Sequence, residues 1–434
     1  MKLHKVYILK IFGIFFLFGN LNPFAYAPIN FTKPHDPNFR MTSWPIKGKN
    51  KREIVKIGNT LEFGSTKKSR NYNRDSVNLL SLYQDKQSSL AMLLQAQPGS
   101  AIYNLKNSIE DAYTTPNTDN NRGSFKVNGK FEGIDYSLYS QFNFDFESIP
   151  GKFDFTAYLP VRSLKIKDVQ WIDQTKSYNA ADLEVKRVLT NDIATVVKNL
   201  GDLDIGSWSK TGFGDLELIL RWYNDFPKYK STLKNVRLGF RTGLILPTSP
   251  EIDVNKSFSM PLGNDGAFAF PIAASLDLSF KYKFRFGVDL EMIKVFDITK
   301  VYRLKSDSNQ TDFLLLNKGM VRRSFGNQWT FNMYAGAEHF FHGLSAKLNY
   351  QYGTNGEDTL QVHDLNFNQD IANTAQSFME WNYHNLIFNL SYDFYKDFPN
   401  AKIKPQLSLF YKYPLIGRRT IMASTFGGVL AFNF

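Results

Sequence analysis

The 434-residue sequence contains no cysteine. This absence excludes disulfide bonds, thiolate metal sites and cysteine nucleophiles, and it removes the lipid-modified cysteine that anchors a lipoprotein. Long apolar runs are also missing beyond the N-terminal 27 residues. A membrane-spanning helix needs roughly 20 consecutive apolar residues, so helical spans are excluded.

Aromatic residues are abundant instead. They make up 15% of the chain, with 39 Phe and 22 Tyr, yet the mean hydropathy is only −0.32. This combination is typical of a sheet with one apolar and one polar face. The formal net charge is +12. The basic residues are spread along the chain without a nucleic-acid-binding motif, so we expect a surface that faces anionic lipid headgroups rather than nucleic acid.

The N-terminus has the pattern of an export signal. A basic start precedes a short apolar segment at 11–18, and residues 25–27 (Ala-Tyr-Ala) have the small-x-small form of a cleavage site. An uncleaved anchor is the alternative, but the apolar segment is about half as long as a span requires. We predict a signal peptide at 1–27, with the cleavage position left open because Pro28 would follow the cut.

Residues 28–122 form an N-terminal region with mixed signals. The proline-containing polar sequence at 28–50 predicts an irregular segment, and residues 52–66 are a candidate strand. Apolar spacing from Asp75 to Gln97 predicts an amphipathic helix. The sequence leaves open whether this region plugs a lumen, lies in the periplasm or lies outside the barrel on the cell surface.

From residue 123 onward, hydrophobicity alternates with a period of two. The longest run extends from Phe270 to Leu290, where every even position is apolar. Strands of soluble sandwiches are usually about 5–6 residues long, whereas a strand that crosses a membrane needs about 9–11. The pattern therefore predicts transmembrane β-strands. It recurs at 134–146, 236–246, 386–394 and 429–434.

The connections between these strands are alternately short and long. The short ones lie near 147–152, 225–231, 281–283, 341–343 and 396–401. The long ones lie near 172–206, 247–266, 300–326, 354–377 and 414–419. Short periplasmic turns and long outer loops are the arrangement of bacterial outer-membrane barrels.

A bacterial single-chain barrel is expected to have an even number of strands. Eleven strands are apparent between residue 134 and the C-terminus, and a periplasmic N-terminus requires one more. The candidates are 52–66 and 121–132, where Asn128-Gly129 is a hairpin-turn sequence. We predict an all-β fold, a closed antiparallel transmembrane β-barrel at 123–434 with about 12 strands (roughly 10–14). One or two short helices are expected in the N-terminal region and the longest outer loop.

The last strand carries a second signal. Phe434 ends an alternating strand in which Leu430 and Phe432 share its face. A closed barrel must pair its last strand with its first. We therefore expect Phe434 to close the barrel and to be recognised by the barrel-assembly machinery.

Two segments carry a family resemblance. One is Gly212-Phe213-Gly214-Asp215-Leu216, and the other is the strand 239–248, which ends in Leu-Pro-Thr. Together with the Tyr-Leu-Pro-Val sequence at 158–161, they resemble the outer-membrane transporter family linked to the meta-cleavage pathway of phenol degradation. That family has a Gly-x-Gly-Asp strand entry and a strand ending in Leu-Pro-Thr-Gly, whereas here Ser249 replaces the final glycine.

The resemblance covers residues 130–434 and implies a FadL-like barrel that passes small, often apolar molecules. The motif residues have a structural explanation, since glycines let a chain turn as it enters a sheet and a proline ends a strand. We expect them to be corner residues rather than a substrate site. They are Gly212, Gly214, Asp215, Pro247 and Thr248.

Alternation also places charged side chains on the inner face of the predicted barrel. The candidate pore-lining residues are Glu217, Arg221, Arg237, Arg241, Asp277, Asp289, Glu338 and Lys347, and Asp135, Asp145 and Asp393 share that face. Opposite charges across a narrow lumen can form a selective constriction, or they can be salt-bridged packing that fills the interior. The pairs Arg221 with Glu217 and Arg237 with Arg241 flank one hairpin and are the leading candidates.

A helix is predicted at 181–200, inside the longest outer loop, with Gly201 at its end. It is expected to fold over the mouth or into the lumen, or to pack on the surface.

Catalysis is not expected. Of the six histidines, His339 and His384 fall on the lipid face of the predicted register, and no Ser/His or Asp/His pair converges. No metal or cofactor is expected either.

The leading hypothesis is a channel or transporter in the bacterial outer membrane for passive movement of small molecules. A structural or adhesive surface barrel that acts through its outer loops is the alternative, and a barrel hydrolase is the third hypothesis. The expected partners are outer-membrane lipid, lipopolysaccharide and a small-molecule solute, with no nucleic acid. The oligomeric state stays open.

Overall fold

Twelve strands form one closed antiparallel barrel. The structure is a computed structural model that describes residues 31–33, 35–36, 54–109, 121–144, 146, 148–364, 366–394 and 401–434. The predicted signal peptide at 1–27 therefore lies outside the described residues. The strands are β1 (Val55–Thr66), β2 (Ser124–Phe144), β3 (Lys152–Asp173), β4 (Trp208–Phe213 and Leu216–Pro227), β5 (Leu233–Leu246), β6 (Ala269–Phe280), β7 (Phe284–Val295), β8 (Asn327–Phe341), β9 (Leu344–Asn355), β10 (Trp381–Asp393), β11 (Lys404–Arg418) and β12 (Ser424–Asn433).

The barrel closes through β1. This strand pairs with β2 on one side and with β12 on the other, so that Gly58 lies between Tyr139 and Ala431. The prediction of twelve strands is confirmed, and the strand missing from the sequence count is the one at 52–66. The alternative hairpin at Asn128-Gly129 is wrong, because these residues lie within β2, where the register with β3 shifts.

The outward face of the strands is apolar. Large side chains that are exposed on this face include Ile57, Leu61, Ile134, Leu138, Phe142, Leu220, Phe240, Leu244, Phe270, Leu290, Leu348, Phe388, Leu390, Leu407, Leu409 and Phe426. An exposed apolar surface that surrounds a molecule marks contact with lipid rather than water. Since a closed barrel also leaves no unpaired strand edge in lipid, this surface is the membrane-spanning belt of an outer-membrane barrel.

The two ends of the barrel differ, as the sequence predicts. At one end the turns are short, and the turn between β6 and β7 is Lys281–Lys283. At the other end five long connections and one short one, at 419–423, fold together into a structure that we call the outer cap. It consists of the described parts of 67–123, 174–207, 247–268, 296–326, 356–380 and 419–423. The long connection predicted at 414–419 is wrong, because β11 continues to Arg418. By the architecture of outer-membrane barrels, the cap is on the outside and the short turns are periplasmic.

The outer cap has its own sheets and hydrophobic core. One small sheet joins Ile298–Arg303, Lys318–Ser324 and Thr359–Val362, and another joins Thr420–Ile421, Lys68–Arg70 and Ser76–Asn78. The buried core beneath them includes Leu79, Leu90, Val185, Leu189, Val197, Phe258 and Phe313.

The helix predicted from Asp75 to Gln97 is wrong. Leu79, Leu80, Leu90 and Leu93 are buried in the cap core, but they lie in or next to short 3-10 turns at Leu79–Ser81 and Ala91–Leu93. A short helix, α1, follows at Ala101–Ser108. Leucines that are buried from an irregular loop happen to have the spacing that is expected of a helix face.

The helix predicted at 181–200 is present in three pieces. These are α2 (Ala180–Val185), a π-helical turn (Lys186–Thr190) and α3 (Ile193–Gly201), and a fourth short helix, α4, spans Gln369–Ala372. The apolar side of α2, the π-helical turn and α3 packs into the cap core. No helix in the described part of the chain is both long and apolar enough to cross a membrane.

Candidate functional site in the barrel lumen

The structure places all eight candidate pore-lining residues on the inner face of the barrel. Glu217, Arg237, Arg241, Asp277, Asp289, Glu338 and Lys347 are buried, and Arg221 is half-buried beside Asp154. Asp135 and Asp393 are also buried on this face, whereas Asp145 lies outside the described residues. The alternation therefore located these side chains, but their partners differ from those expected.

Arg241 is the centre of an ion cluster that spans three strands. From β5 it makes a two-point contact with Asp289 of β7 (2.7 and 3.0 Å) and contacts Oε2 of Glu291 at 2.7 and 3.0 Å. The strand between them, β6, places only Ala273 opposite both Arg241 and Glu291. This small side chain leaves room for the guanidinium to reach across β6.

Arg221 and Arg237 have separate partners. Arg221 donates to Asp154 of β3 at 2.7 Å, and Arg237 pairs with Asp225 of β4 at 2.7 and 2.9 Å. The ring of Tyr223 lies beneath both guanidinium groups, 4.4 Å from Arg237 and 5.4 Å from Arg221. The expected grouping of Arg221 with Glu217 and Arg237 with Arg241 is not formed.

The partner of Glu217 lies near the N-terminus. We call residues 31–33 and 35–36 the N-terminal segment. Nζ of Lys33 lies 2.7 Å from Glu217, and Nε2 of His35 lies 3.5 Å from Glu291. The backbone N–H of Thr32 donates to Oε2 of Glu62 at 2.7 Å. The described residues between 31 and 36 therefore lie inside the barrel and are bonded to its wall.

Glu62 extends this network to the closing strands. Its Oε1 accepts from Nζ of Lys412 on β11 at 2.9 Å and also from the hydroxyl of Thr425 on β12. The N-terminal segment thus contacts carboxylates on three separate parts of the wall: Glu62 of β1, Glu217 of β4 and Glu291 of β7. Nothing in the N-terminal sequence alone identified these contacts, because they depend on closure of the barrel.

A second inner cluster ties the wall to the outer cap. Arg162 of β3 donates to Asp135 of β2 at 2.8 Å and to the carbonyl of Leu262 in the cap at 2.6 Å. Its guanidinium also lies 5.7 Å from the ring of Phe31. Arg162 therefore joins the wall, the cap and the N-terminal segment, and the sequence did not single it out.

In the periplasmic half of the lumen, one histidine differs from the predicted register. His339, expected on the lipid face, has Nε2 3.5 Å from Asp393. Its backbone is left-handed (φ 43°) where the register of β8 and β9 shifts, which turns the side chain from the expected face. Ser345 accepts from the backbone N–H of His339 rather than from its imidazole. His384 does face outward, with Nδ1 2.6 Å from the hydroxyl of Tyr350.

The family motif forms a corner brace between β4 and the cap. Thr248 donates its hydroxyl to the carbonyl of Gly214 (2.8 Å) and accepts from the N–H of Leu216 (2.9 Å). Asp215 accepts from the backbone N–H groups of Ser249 and Asn264.

Close packing explains one of the motif glycines. A Cβ at Gly214 would lie 2.7 Å from Pro160 and 2.9 Å from the carbonyl of Leu262. Gly212 lies in β4, and Pro247 follows the end of β5. The motif interrupts β4 and holds the 247–268 connection against the wall.

A cavity of about 150 Å³ lies between the N-terminal segment, the 247–268 connection and the wall. Its charged lining residues include Lys33, Asp215, Glu217 and Glu291. The apolar part is lined by Ile245, Ile293, Val295, Phe325, Trp381 and Tyr383. The rings of Trp381 and Tyr383 are stacked with centroids 5.9 Å apart, so the cavity presents flat aromatic surface beside ionic groups.

No protein-family model and no curated protein matches the sequence. Among solved structures, an outer membrane channel from Pseudomonas putida F1 aligns with 93% of this chain and 100% of its own, with a TM-score of 0.50 and 12% identity. This similarity shows the fold.

More distant structures are also similar in part. The toluene transporter TodX of Pseudomonas putida aligns over 95% of each chain with a TM-score of 0.30 and 9% identity. A FadL homologue from Pseudomonas aeruginosa covers 87% of this chain and 89% of its own, with a TM-score of 0.26 and 10% identity.

Proposed function

We propose that this chain is an outer-membrane channel for the passive movement of small, largely apolar molecules. The observation that carries the proposal is the cavity inside the closed barrel, which lies between the N-terminal segment and the outer cap and combines apolar and aromatic side chains with paired charged ones. An empty space of about 150 Å³ suits a solute of a few heavy atoms or one small ring. The structure then represents a closed state.

The eight candidate pore-lining residues are proposed to form the polar constriction of this channel. At least six of the eight are in ion pairs, either with the N-terminal segment, with an adjacent strand, as in Arg285 with Glu338, or across one intervening strand, as in Arg241 with Asp289. A lumen of paired charges keeps a low net charge while it orders water. Such a lining suits neutral solutes better than ions.

We also propose that the resemblance to the phenol meta-cleavage transporter family extends to the solute class. Support comes from the corner brace formed by the shared motif and from the stacked rings of Trp381 and Tyr383 at the cavity. The N-terminal segment would act as a plug, and no catalytic step is assigned to the barrel. The structure from Pseudomonas putida F1, with its TM-score of 0.50, is itself an outer membrane channel.

The last strand is proposed to carry the assembly signal. Phe434 is 48% exposed on the outward face. Its N–H donates to the carbonyl of Val55 and its carbonyl accepts from Ile54, each at 3.0 Å. The terminal residue is thus hydrogen-bonded to the start of β1, where the barrel closes.

The test is uptake of a small aromatic solute by liposomes that contain the purified protein. We expect uptake above that of protein-free liposomes, and a severalfold reduction in Ile245→Trp, which fills the cavity. Ile416→Trp, on the outward face near the end of β11, is the matched control and should not change uptake. Equal uptake with and without protein would contradict the proposal.

The outer cap supports one alternative function. Its connections bury a shared hydrophobic core instead of remaining separate loops, which is also what a structural or adhesive surface protein would need. A barrel that transports no solute but retains binding to cells or matrix would support that role.

A further inference from the structure

Strands β2 and β3 extend well beyond the apolar belt on the side of the outer cap. Their outward face is apolar up to Ile134 and Val161, and it becomes basic above them. In the paired register, Lys130 lies opposite Lys167 and Glu132 lies opposite Lys165. We call the outward-facing lysines of these two extensions, Lys126, Lys130, Lys165 and Lys167, the basic rim.

The basic rim has more positive charge than its neighbours neutralise. Glu132 is shared by two lysines, with Nζ of Lys130 at 2.8 Å and Nζ of Lys167 at 2.6 Å. Among the described residues, no carboxylate lies within ion-pair distance of Lys165 or Lys126. The side chains of Lys130 and Lys167 remain 33% and 45% exposed. The amines are therefore held in place yet open to an external anion.

The neighbouring strand adds charge at the same level. Thr66, the last residue of β1, pairs with Phe131, so Lys67 and Lys68 follow it beside the basic rim, and both are exposed. Against these six lysines stand Glu132 and Asp168, which lies at a left-handed position (φ 54°) in β3.

The opposite side of the barrel has a different rim. Above β6 to β8 the exposed residues include Phe268, Phe296, Val301 and Met320. Arg322 on this side is paired with Asp297 at 3.0 Å. The rim above β6 to β8 is therefore more apolar than the rim above β1, β2 and β3, and its Arg322 is neutralised.

We propose that the basic rim is a binding site for the phosphorylated headgroup of an outer-leaflet lipid. The position of the rim decides between possible anions, because it lies directly above the exposed apolar residues Phe63, Ile134 and Tyr136. A ligand that fills both surfaces must have acyl chains in the belt and phosphate groups above it. Glycolipids with a phosphorylated diglucosamine headgroup have this chemistry, and lysines near a membrane surface attract such headgroups.

The inference depends on the orientation of the barrel but not on transport. The test uses the full-length protein in detergent and native mass spectrometry to measure binding of diphosphoryl lipid A. We expect Lys165→Gln/Lys167→Gln to weaken binding roughly tenfold or more. Lys165→Arg/Lys167→Arg, which keeps the charge, should restore it.

A matched control and two competitor experiments make the test specific. Lys228→Gln/Lys230→Gln removes the same charge at an exposed periplasmic turn and should leave lipid A binding unchanged. A zwitterionic phosphatidylethanolamine should bind equally to all variants, and inorganic phosphate at the same concentration should not displace lipid A. Equal loss in the control pair, or displacement by inorganic phosphate, would overturn the assignment, as would unchanged binding in the Gln variant.

Discussion

Nζ of Lys33 lies 2.7 Å from Oε1 of Glu217, which bonds the N-terminal segment to the inner wall of β4. Because the chain has no cysteine, a single introduced thiol reports on this segment without background. We expect Lys33→Cys to react with a charged thiol reagent at least tenfold more slowly than Lys230→Cys, which lies in an exposed turn. The measurement is the labelling rate by mass spectrometry. Equal rates would show that the segment is not held inside the lumen.

The ion cluster around Arg241 leads to a stability prediction. Arg241→Leu removes the shared partner of Asp289 and Glu291, both of which are buried. Removing one member of a buried ion pair typically costs about 3–5 kcal/mol. We expect a loss of that size in the free energy of unfolding, measured by urea titration of the refolded barrel. Arg187→Leu, at an exposed ion pair on the cap, should leave it nearly unchanged, because solvent screens an exposed pair.

Tyr383 of β10 lies against Gly353 of β9, its direct partner in the register. A Cβ at Gly353 would lie 2.1 Å from Cζ of Tyr383, so Gly353→Ala must displace the ring. The folded barrel should lose stability by about 1–3 kcal/mol, seen as a smaller fraction of the fast-migrating, unboiled species on a gel. Gly428→Ala is the control, because its nearest new contact would be at 3.4 Å. Similar loss in both variants would contradict this explanation.

Arg303 connects three parts of the outer cap. It donates to the carbonyls of Gly201 and Asp202, of Val254, and of Leu315 and Leu316. Burial lowers the pKa of Arg303 to about 10, so the guanidinium still carries its charge at neutral pH. Arg303→Met leaves these carbonyls without their shared donor.

Limited proteolysis tests the role of Arg303. We expect cleavage in the cap of Arg303→Met to be several times faster than in the unmodified protein, because the three connections are no longer joined. The barrel itself should remain folded and heat-modifiable. Cleavage at the unmodified rate would mean that the hydrophobic core alone holds the cap together.

The strands were predictable because lipid and lumen impose a strict alternation. The even positions from Phe270 to Leu290 keep the outward parity through the turn at Lys281–Lys283. The same alternation also predicted which charged residues, such as Asp289, face the lumen. It could not identify their partners, because Arg241 reaches across β6 at Ala273.

The errors have physical causes as well. Leu79 and Leu90 have helical spacing but are buried in the cap by tertiary packing. His339 lies at an irregularity that changes the side-chain direction of β8, and an irregularity of this kind leaves no clear mark in a single sequence. The N-terminal contacts with Glu62, Glu217 and Glu291 depend on strands that are distant in sequence.

The most direct test of a channel closed by its N-terminal segment is conductance in planar lipid bilayers. Lys33→Glu places a carboxylate among Glu217 and Glu291 and should expel the segment, whereas Lys33→Arg should retain the ion pair. We expect low conductance for the unmodified protein and Lys33→Arg, and a severalfold higher single-channel conductance for Lys33→Glu. Identical conductance in all three proteins, with the barrel folded in each, would contradict it.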